Sequence, residues 1–174
     1  VVVGLETARG AVGRVVTGGQ SGVDRAAVDV AIACGVPYGG WVPADGWAED
    51  LPTPPGVLAR YPAFVPLTST DPAARTVRNA QDADAVLVLV LGPVSSPGTD
   101  LARATARRRG TPCAVVDLGA PDADARLVSF CAALPPGSTL NVAGPRESEQ
   151  PGVYEAARAF LVRHAALLFG ESGR

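Results

Sequence analysis

Three short stretches combine glycine, hydroxyl and charged residues in spacings that suit an anionic ligand. The first is Thr17-Gly18-Gly19-Gln20-Ser21-Gly22-Val23-Asp24. Gly18, Gly19 and Gly22 let the chain turn sharply and bring peptide N–H groups close to a guest. A helix beginning just beyond, with Asp24 in its first turn, adds a positive dipole end. Gln20 or Ser21 can add a side-chain hydrogen bond. The second stretch runs from Gly92 to Asp100: Ser95, Ser96 and Thr99 offer hydroxyls, Gly98 allows close approach, and Thr99 or Asp100 suits a helix cap. The third runs from Asn141 to Gly152 and places Gly144, Arg146, Glu147 and Ser148 together. Arg grips phosphate with two parallel N–H donors, while Glu147 can accept from a sugar or an amine-bearing ring, or act as a general base. Arg75, Asn79 and Asp82 share one helix face, which lines a site or faces water. Each feature also has a purely structural reading: a turn capped by Ser21, a capped loop, or a surface ion pair of Arg146 with Glu147 or Glu149.

What is missing narrows the chemistry. All 15 basic residues are Arg. Without Lys there is no Schiff-base anchor for pyridoxal phosphate and no phosphate-loop lysine. The single His, His164, cannot build a His-rich metal site and sits on an apolar helical stripe, which suits a core or subunit-interface residue better than a catalyst. Cys34, Cys113 and Cys131 form no paired motif and fit reduced thiols in a cytoplasm. Net charge is −2, so charge gives no reason to expect a nucleic-acid partner. No apolar run is long enough to cross a bilayer. The Arg, Ala, Gly and Pro bias suggests a high-GC bacterial coding style. Val1 to Glu6 lacks the basic segment and cleavage site of a signal peptide, and with no Met in the chain Val1 is not expected to be the translational start.

These residues need elements to position them. A length of 174 residues with 47% hydrophobic and 18% charged side chains fits one globular domain, 1–174, with no internal repeat. Strands are expected at Arg14–Thr17, Val36–Val42, Ala85–Leu91, Pro112–Leu118 and Thr139–Ala143, with a short edge strand at Phe64–Leu67. Helices are expected from Val23 to Cys34, from Asp71-Pro72 to Gln81, from Asp100 to Arg109, from Asp122 to Leu134, and over Val153–Leu168. Pro43–Pro62 reads as an irregular loop long enough to be functional. The Arg107–Arg109 run complements a helix C-terminus. Strands alternating with helices imply a Rossmann-like three-layer α/β/α fold around a mainly parallel sheet of five or six strands. Such sheets bind ligands outside the carboxyl ends of their strands. Two glycine turns in one sheet reinforce each other, because neighbouring loops can hold two ends of one nucleotide-like molecule.

Longer motifs carry a family resemblance. Gly18 through Ala27, Gly39-Gly40-Trp41, Ala48-Glu49-Asp50, Arg75-Thr76 with Asn79, Asp82-Ala83-Asp84, Gly92-Pro93 with Gly98-Thr99, Pro112-Cys113, and Asn141 through Ser148 with Pro151-Gly152 follow one another in order. Together they resemble the family of molybdenum carrier proteins, which is similar to a circularly permuted form of the Rossmann-like group containing molybdenum cofactor carriers and LONELY GUY phosphoribohydrolases. The resemblance covers most of residues 14 to 165. It implies a Rossmann-like fold, a homo-oligomer (dimer or tetramer), and binding of molybdenum cofactor, a pterin with a terminal phosphate, or of another nucleotide-like ligand. Two places depart from the pattern. The segment after Trp41 reads Val42-Pro43-Ala44-Asp45-Gly46-Trp47 where basic residues are usual, although Trp47 can stack on a ring. The second turn has Ser95-Ser96-Pro97-Gly98-Thr99 where Gly-Gly-Thr is usual, and Pro97 removes one N–H donor.

The reading is therefore a cytoplasmic protein that binds an anionic, phosphate-bearing small molecule, first of all as a molybdenum cofactor carrier serving a molybdoenzyme recipient. One alternative is a hydrolase of the N-glycosidic bond in a nucleoside monophosphate, with Glu147 or Asp100 as its carboxylate. Another is a nucleotide sensor that reports through its oligomer interface. The expected ligand contacts are Gly18 to Gly22, Asp24, Arg75, Asn79, Gly92, Ser95, Ser96, Gly98, Thr99, Gly144 and Arg146 to Ser148, with no metal ligand among the side chains.

Overall fold

A computed structural model describes residues 10–170; residues 1–9 and 171–174, and with them the reading of Val1 to Glu6, lie outside the described residues. Six strands form one sheet: β1 (Val12–Val16), β2 (Tyr38–Val42), β3 (Phe64–Pro66), β4 (Ala85–Val90), β5 (Cys113–Asp117) and β6 (Ser138–Ala143). All pairings are parallel, in the order β3-β2-β1-β6-β4-β5. The Rossmann-like, three-layer α/β/α expectation holds, and the edge position of the Pro-containing β3 with it.

The helices are α1 (Val23–Ala33), α2 (Val57–Arg60), α3 (Pro72–Asp82), α4 (Pro97–Arg109), α5 (Ala123–Ala132), α6 (Val153–Arg163) and α7 (Ala165–Phe169). Strand order decides their faces. The steps β1 to β2 and β5 to β6 run one way along the sheet, and β3 to β4 and β4 to β5 run the other. A uniform crossover hand then sends α1 and α5 to one face and α3 and α4 to the opposite face. Packing agrees: α1 lies against α6 and α5 against α7, while α3 lies against α4. The larger core, around Leu87, Leu89, Leu127, Leu140 and Leu161, fills the first interface. Ala80, Val86, Val88 and Ala106 form the second.

Local signals explain most boundaries. Asp71 caps α3 by accepting from the Ala73 amide at 2.9 Å, with Pro72 in the first turn. Gly110, at φ +68°, ends α4 after Arg107–Arg109. Three expectations need correction. α4 begins at Pro97 rather than Asp100, so Gly98, Thr99 and Asp100 belong to its first turn and Ser96 is the cap residue, in place of Thr99 or Asp100. Proline favours that first helical position because it needs no N–H acceptor. The long loop after β2 contains the single-turn α2. The last apolar stripe is two helices, α6 and α7, meeting at His164.

Candidate functional site

β1 and β6 both send their following helices to the α1/α6 face, while β4 sends α4 to the other. Chains leaving neighbouring strands in opposite directions open a crevice at the carboxyl edge. A cavity of about 290 Å³ lies there, bounded by the turn after β1, the end of β6, α3 and the start of α4. Its lining includes Gly18, Gln20, Asp24, Trp47, Arg75, Asn79, Ser96, Gly98, Thr99, Asn141, Gly144, Arg146 and Glu149. The three turns do converge. Their amides, however, are mostly not free.

The first turn is filled from within. Asp24 Oδ2 accepts from the amides of Gly18 (3.1 Å) and Gln20 (3.4 Å) and from Arg75 Nη1 (3.0 Å). The Gly19 amide donates to Thr17 Oγ1 and the Ser21 amide to Gln20 Oε1. Amides expected to hold a guest anion thus hold a protein carboxylate. Burial pushes the Asp24 carboxyl above its ordinary value, and Arg75 and the two amides pull it part of the way back. A Cβ at Gly18 would strike the Arg75 guanidinium, so a larger residue here would push Arg75 off Asp24.

The third turn is likewise closed on itself. Glu149 Oε2 accepts from the Arg146 amide (3.0 Å) and Ser96 Oγ (2.9 Å), and Oε1 accepts from Arg146 Nη2 (3.1 Å). Burial acts to raise the Glu149 carboxyl, but these donors and the Arg146 charge outweigh it and hold it below its ordinary value. Thr99 Oγ1 lies 2.8 Å from Ser96 Oγ and completes the chain of hydroxyls.

At the start of α4 the amides remain open. The first intrahelical bond there is from the Asp100 amide to the Ser96 carbonyl. Pro97 has no N–H, and the Gly98 and Thr99 amides precede any helical acceptor. Gly98 has an ordinary φ and nothing within 4 Å of where a Cβ would stand. Neither conformation nor packing asks for glycine at this position; its missing side chain leaves the helix end open to the cavity.

Several expected contacts lie elsewhere. Ser21, Gly22, Glu147 and Ser148 line a separate, shallower depression with Arg25, Asp29, Tyr154 and Glu155. Gly22, at φ +75°, lets the Pro145 carbonyl approach to where a side chain would clash. Glu147 accepts from the Gly152 (2.5 Å) and Tyr154 (3.0 Å) amides and so caps α6. Asp100 is exposed and pairs with Arg103 at 3.6 Å. The two carboxylates considered for hydrolysis are therefore both outside the cavity. Ser95 is exposed and, like Gly92, outside the cavity; the Gly92 amide donates to Asp117 Oδ1 (2.8 Å). Asn79 reaches the cavity wall with its hydrogen bonds spent: Nδ2 donates to the Thr17 and Trp41 carbonyls and Oδ1 accepts from the Trp41 amide. Asp82 accepts from Trp41 Nε1 and Arg78. His164 packs against Phe160 with the rings tilted at 58° and meets Asp124 at 2.9 Å.

Sequence reasoning missed Asn141, the acceptance by Gln20 Oε1 from both the Ser21 and Glu49 amides, and the clasp built on Glu49. Glu49 accepts from the hydroxyls of Ser21 and Ser148 and the Ser148 amide, and faces Arg146 at 3.9 Å. Burial acts to raise Glu49, but the two serines and Arg146 prevail and hold it below its ordinary value. Among the described residues no cluster of three or more His, Cys, Asp or Glu side chains is placed to hold a metal ion, and no helix is long and apolar enough to cross a membrane.

Comparison with known proteins agrees with this architecture. The crystal structure of a putative molybdenum carrier protein from Syntrophus aciditrophicus SB superposes with a TM-score of 0.78 at 32% identity, covering 88% of this chain and 95% of that one. Among curated proteins none matches. A model of the circularly permutated YpsA SLOG family matches residues 15–165, a span that holds all six strands but for the first three residues of β1 and takes in the whole cavity lining. By that match, and by its likeness to the carrier, this chain belongs to the circularly permutated YpsA SLOG family.

Proposed function

We propose that the cavity binds a phosphate-bearing heterocycle and that the protein acts as a carrier of molybdenum cofactor. The observation that carries this reading is the open first turn of α4. Gly98 and Thr99 present unpaired amides at a helix N-terminus, where the dipole favours an anion. Gly98 stands in the first helical turn, where glycine is disfavoured against alanine by at most the roughly 0.5–1 kcal/mol of a helix interior. A phosphate seated on those amides accounts for that cost. The volume, about 290 Å³, is at the low end of ligand pockets and suits one ring system with a phosphate rather than a dinucleotide. Trp47, half-buried on the lining, offers a face for stacking. The name of the Syntrophus aciditrophicus relative, a putative molybdenum carrier, fits a molybdenum-bearing cargo.

Phosphate in this seat would meet Arg75 and Arg146 already paired with Asp24 and Glu149. Recognition then rests on amides and ring contacts more than on net charge. A carrier has no need of a nucleophile, and the cavity's carboxylates are both bound to arginine. Carriage implies a molybdoenzyme recipient in the same compartment, the cytoplasm, and a homo-oligomer as the assembled form. The test is isolation of the protein from its native host, followed by mass spectrometry and metal analysis of what it releases. A phosphorylated pterin is expected. A nucleotide without pterin would replace the carrier by a nucleotide sensor or hydrolase, and the absence of any phosphate-bearing molecule would overturn the reading.

A further inference from the structure

Besides the buried Arg75 Nε, which also has no partner, two polar side chains in the cavity keep hydrogen-bonding capacity that the protein itself does not use. Asn141 is 2% exposed, lines the cavity, and its carboxamide has no partner among the described residues. It sits in the middle of β6, opposite Val16 of β1, a position that an apolar residue could fill without desolvating an amide. Buried carboxamides are paired as a rule, so an unpaired one on a cavity wall calls for a partner from outside the chain. Asp24 is 5% exposed; its Oδ2 takes all three N–H donors and Oδ1 takes none. Both groups line the same cavity, and Gly18, which donates to Asp24, follows by two residues the Val16 that faces Asn141.

Taking the cavity to be the ligand site, as proposed above, we propose that Asp24 and Asn141 read the edge of a flat heterocycle that carries an amino group and a ring N–H beside a carbonyl. This is the 2-amino-4-oxopyrimidine edge shared by guanine and the pterins. Asp24 Oδ1 accepts from the amino group or the ring N–H. Asn141 donates to the carbonyl and has its own oxygen left for a second donor. Adenine meets this edge only in part: its amino group can reach Asp24 Oδ1, but it has no ring N–H beside that group and no carbonyl for Asn141. Asn79, close by, cannot share the task because both of its N–H bonds are already made.

Binding to the full chain, measured by calorimetry, separates this edge from the phosphate seat. Guanosine is compared with inosine, and pterin with lumazine, each second member lacking the amino group; inorganic phosphate and adenosine complete the set. The amino-bearing member of at least one pair should bind tenfold or more tighter than its control, and adenosine no better than inosine. Which pair shows the difference tells guanine from pterin. Asn141→Ala should weaken both members of that pair about tenfold, because both carry the carbonyl it meets, and should leave inorganic phosphate binding within about twofold. Equal binding within both pairs, no binding of either ring, or unchanged ring affinity in a folded Asn141→Ala variant would each overturn the proposal. The pairs need no variant, so a misfolded substitution leaves the comparison decisive. Failure of inorganic phosphate alone would count against the α4 seat and not against the ring edge.

Discussion

At the residue scale the recurring event is a carboxylate taking up amides that a glycine turn would otherwise offer to a guest. Asp24 does so after β1, Glu149 after β6, and Glu147 at the start of α6. The same chemistry serves structure at one position and borders a ligand site at another, and only the surroundings tell them apart. Glu147 is the clear structural case. Glu147→Ala removes the acceptor for two amides at the α6 N-terminus and should lower stability by about 1 kcal/mol. Its phosphate affinity should equal that of the parent. Urea melts together with a phosphate titration check both halves; an intact melt with lost binding would restore Glu147 to the site.

Among the elements, α4 is the one whose sequence contradicts its own stability. Gly98 stands in its first turn, and no side-chain cap hydrogen bond forms at Ser96, whose hydroxyl is turned to Glu149. Gly98→Ala should therefore raise the stability of the free protein, by up to about 1 kcal/mol, because the helix gains propensity and the added methyl meets open space. The same methyl narrows the approach to the Gly98 and Thr99 amides, so phosphate should bind several-fold more weakly. Thermal melts with and without phosphate read both effects. A variant that is stabilised and still binds as the parent does would remove the seat from α4. By contrast, α3 is fixed to the sheet by Asn79, which bonds the ends of β1 and β2, and through Arg75 to the first turn.

For the whole molecule, Glu49 and Glu149 join segments that are distant in sequence. Glu49 ties the loop after β2 to the first and third turns, and Glu149 ties the third turn to α4. Both carboxyls are held below their ordinary value of 4.5. A depressed acid stabilises the fold fully above its ordinary value, and that contribution is lost as pH falls through the folded value. Asp24, raised from 3.8 by burial, works in the opposite sense, since its ionisation costs stability as pH rises past that value. The melting temperature should thus hold from pH 7 to about pH 5 and fall below about 4.5. A Glu49→Gln, Glu149→Gln double variant should melt lower at pH 7 and show a shallower acid decline. An acid profile parallel to the parent's would show that neither carboxylate supplies the effect.

How much of this was legible follows from the range of each interaction. Periodicity and capping residues act within a few positions, so the sequence by itself determined the strands, most helices, the parallel sheet and the placing of three polar turns at its carboxyl edge. Even Pro97 announced the α4 start, three residues ahead of where the periodic pattern was read. What the sequence left open was which amides remain free and which polar side chains stay unpaired. Arg75 meets Asp24 across 51 residues, and Ser148 meets Glu49 across 99. Insertion of β6 between β1 and β4 makes the last turn a neighbour of the first. Alternation along β6 puts Asn141 on one face of the sheet, but only the placing of α3, the first turn and the start of α4 around it decides that this face opens on a cavity. Burial and hydrogen-bond pairing depend on what surrounds a group in space, and that is a property of the folded chain.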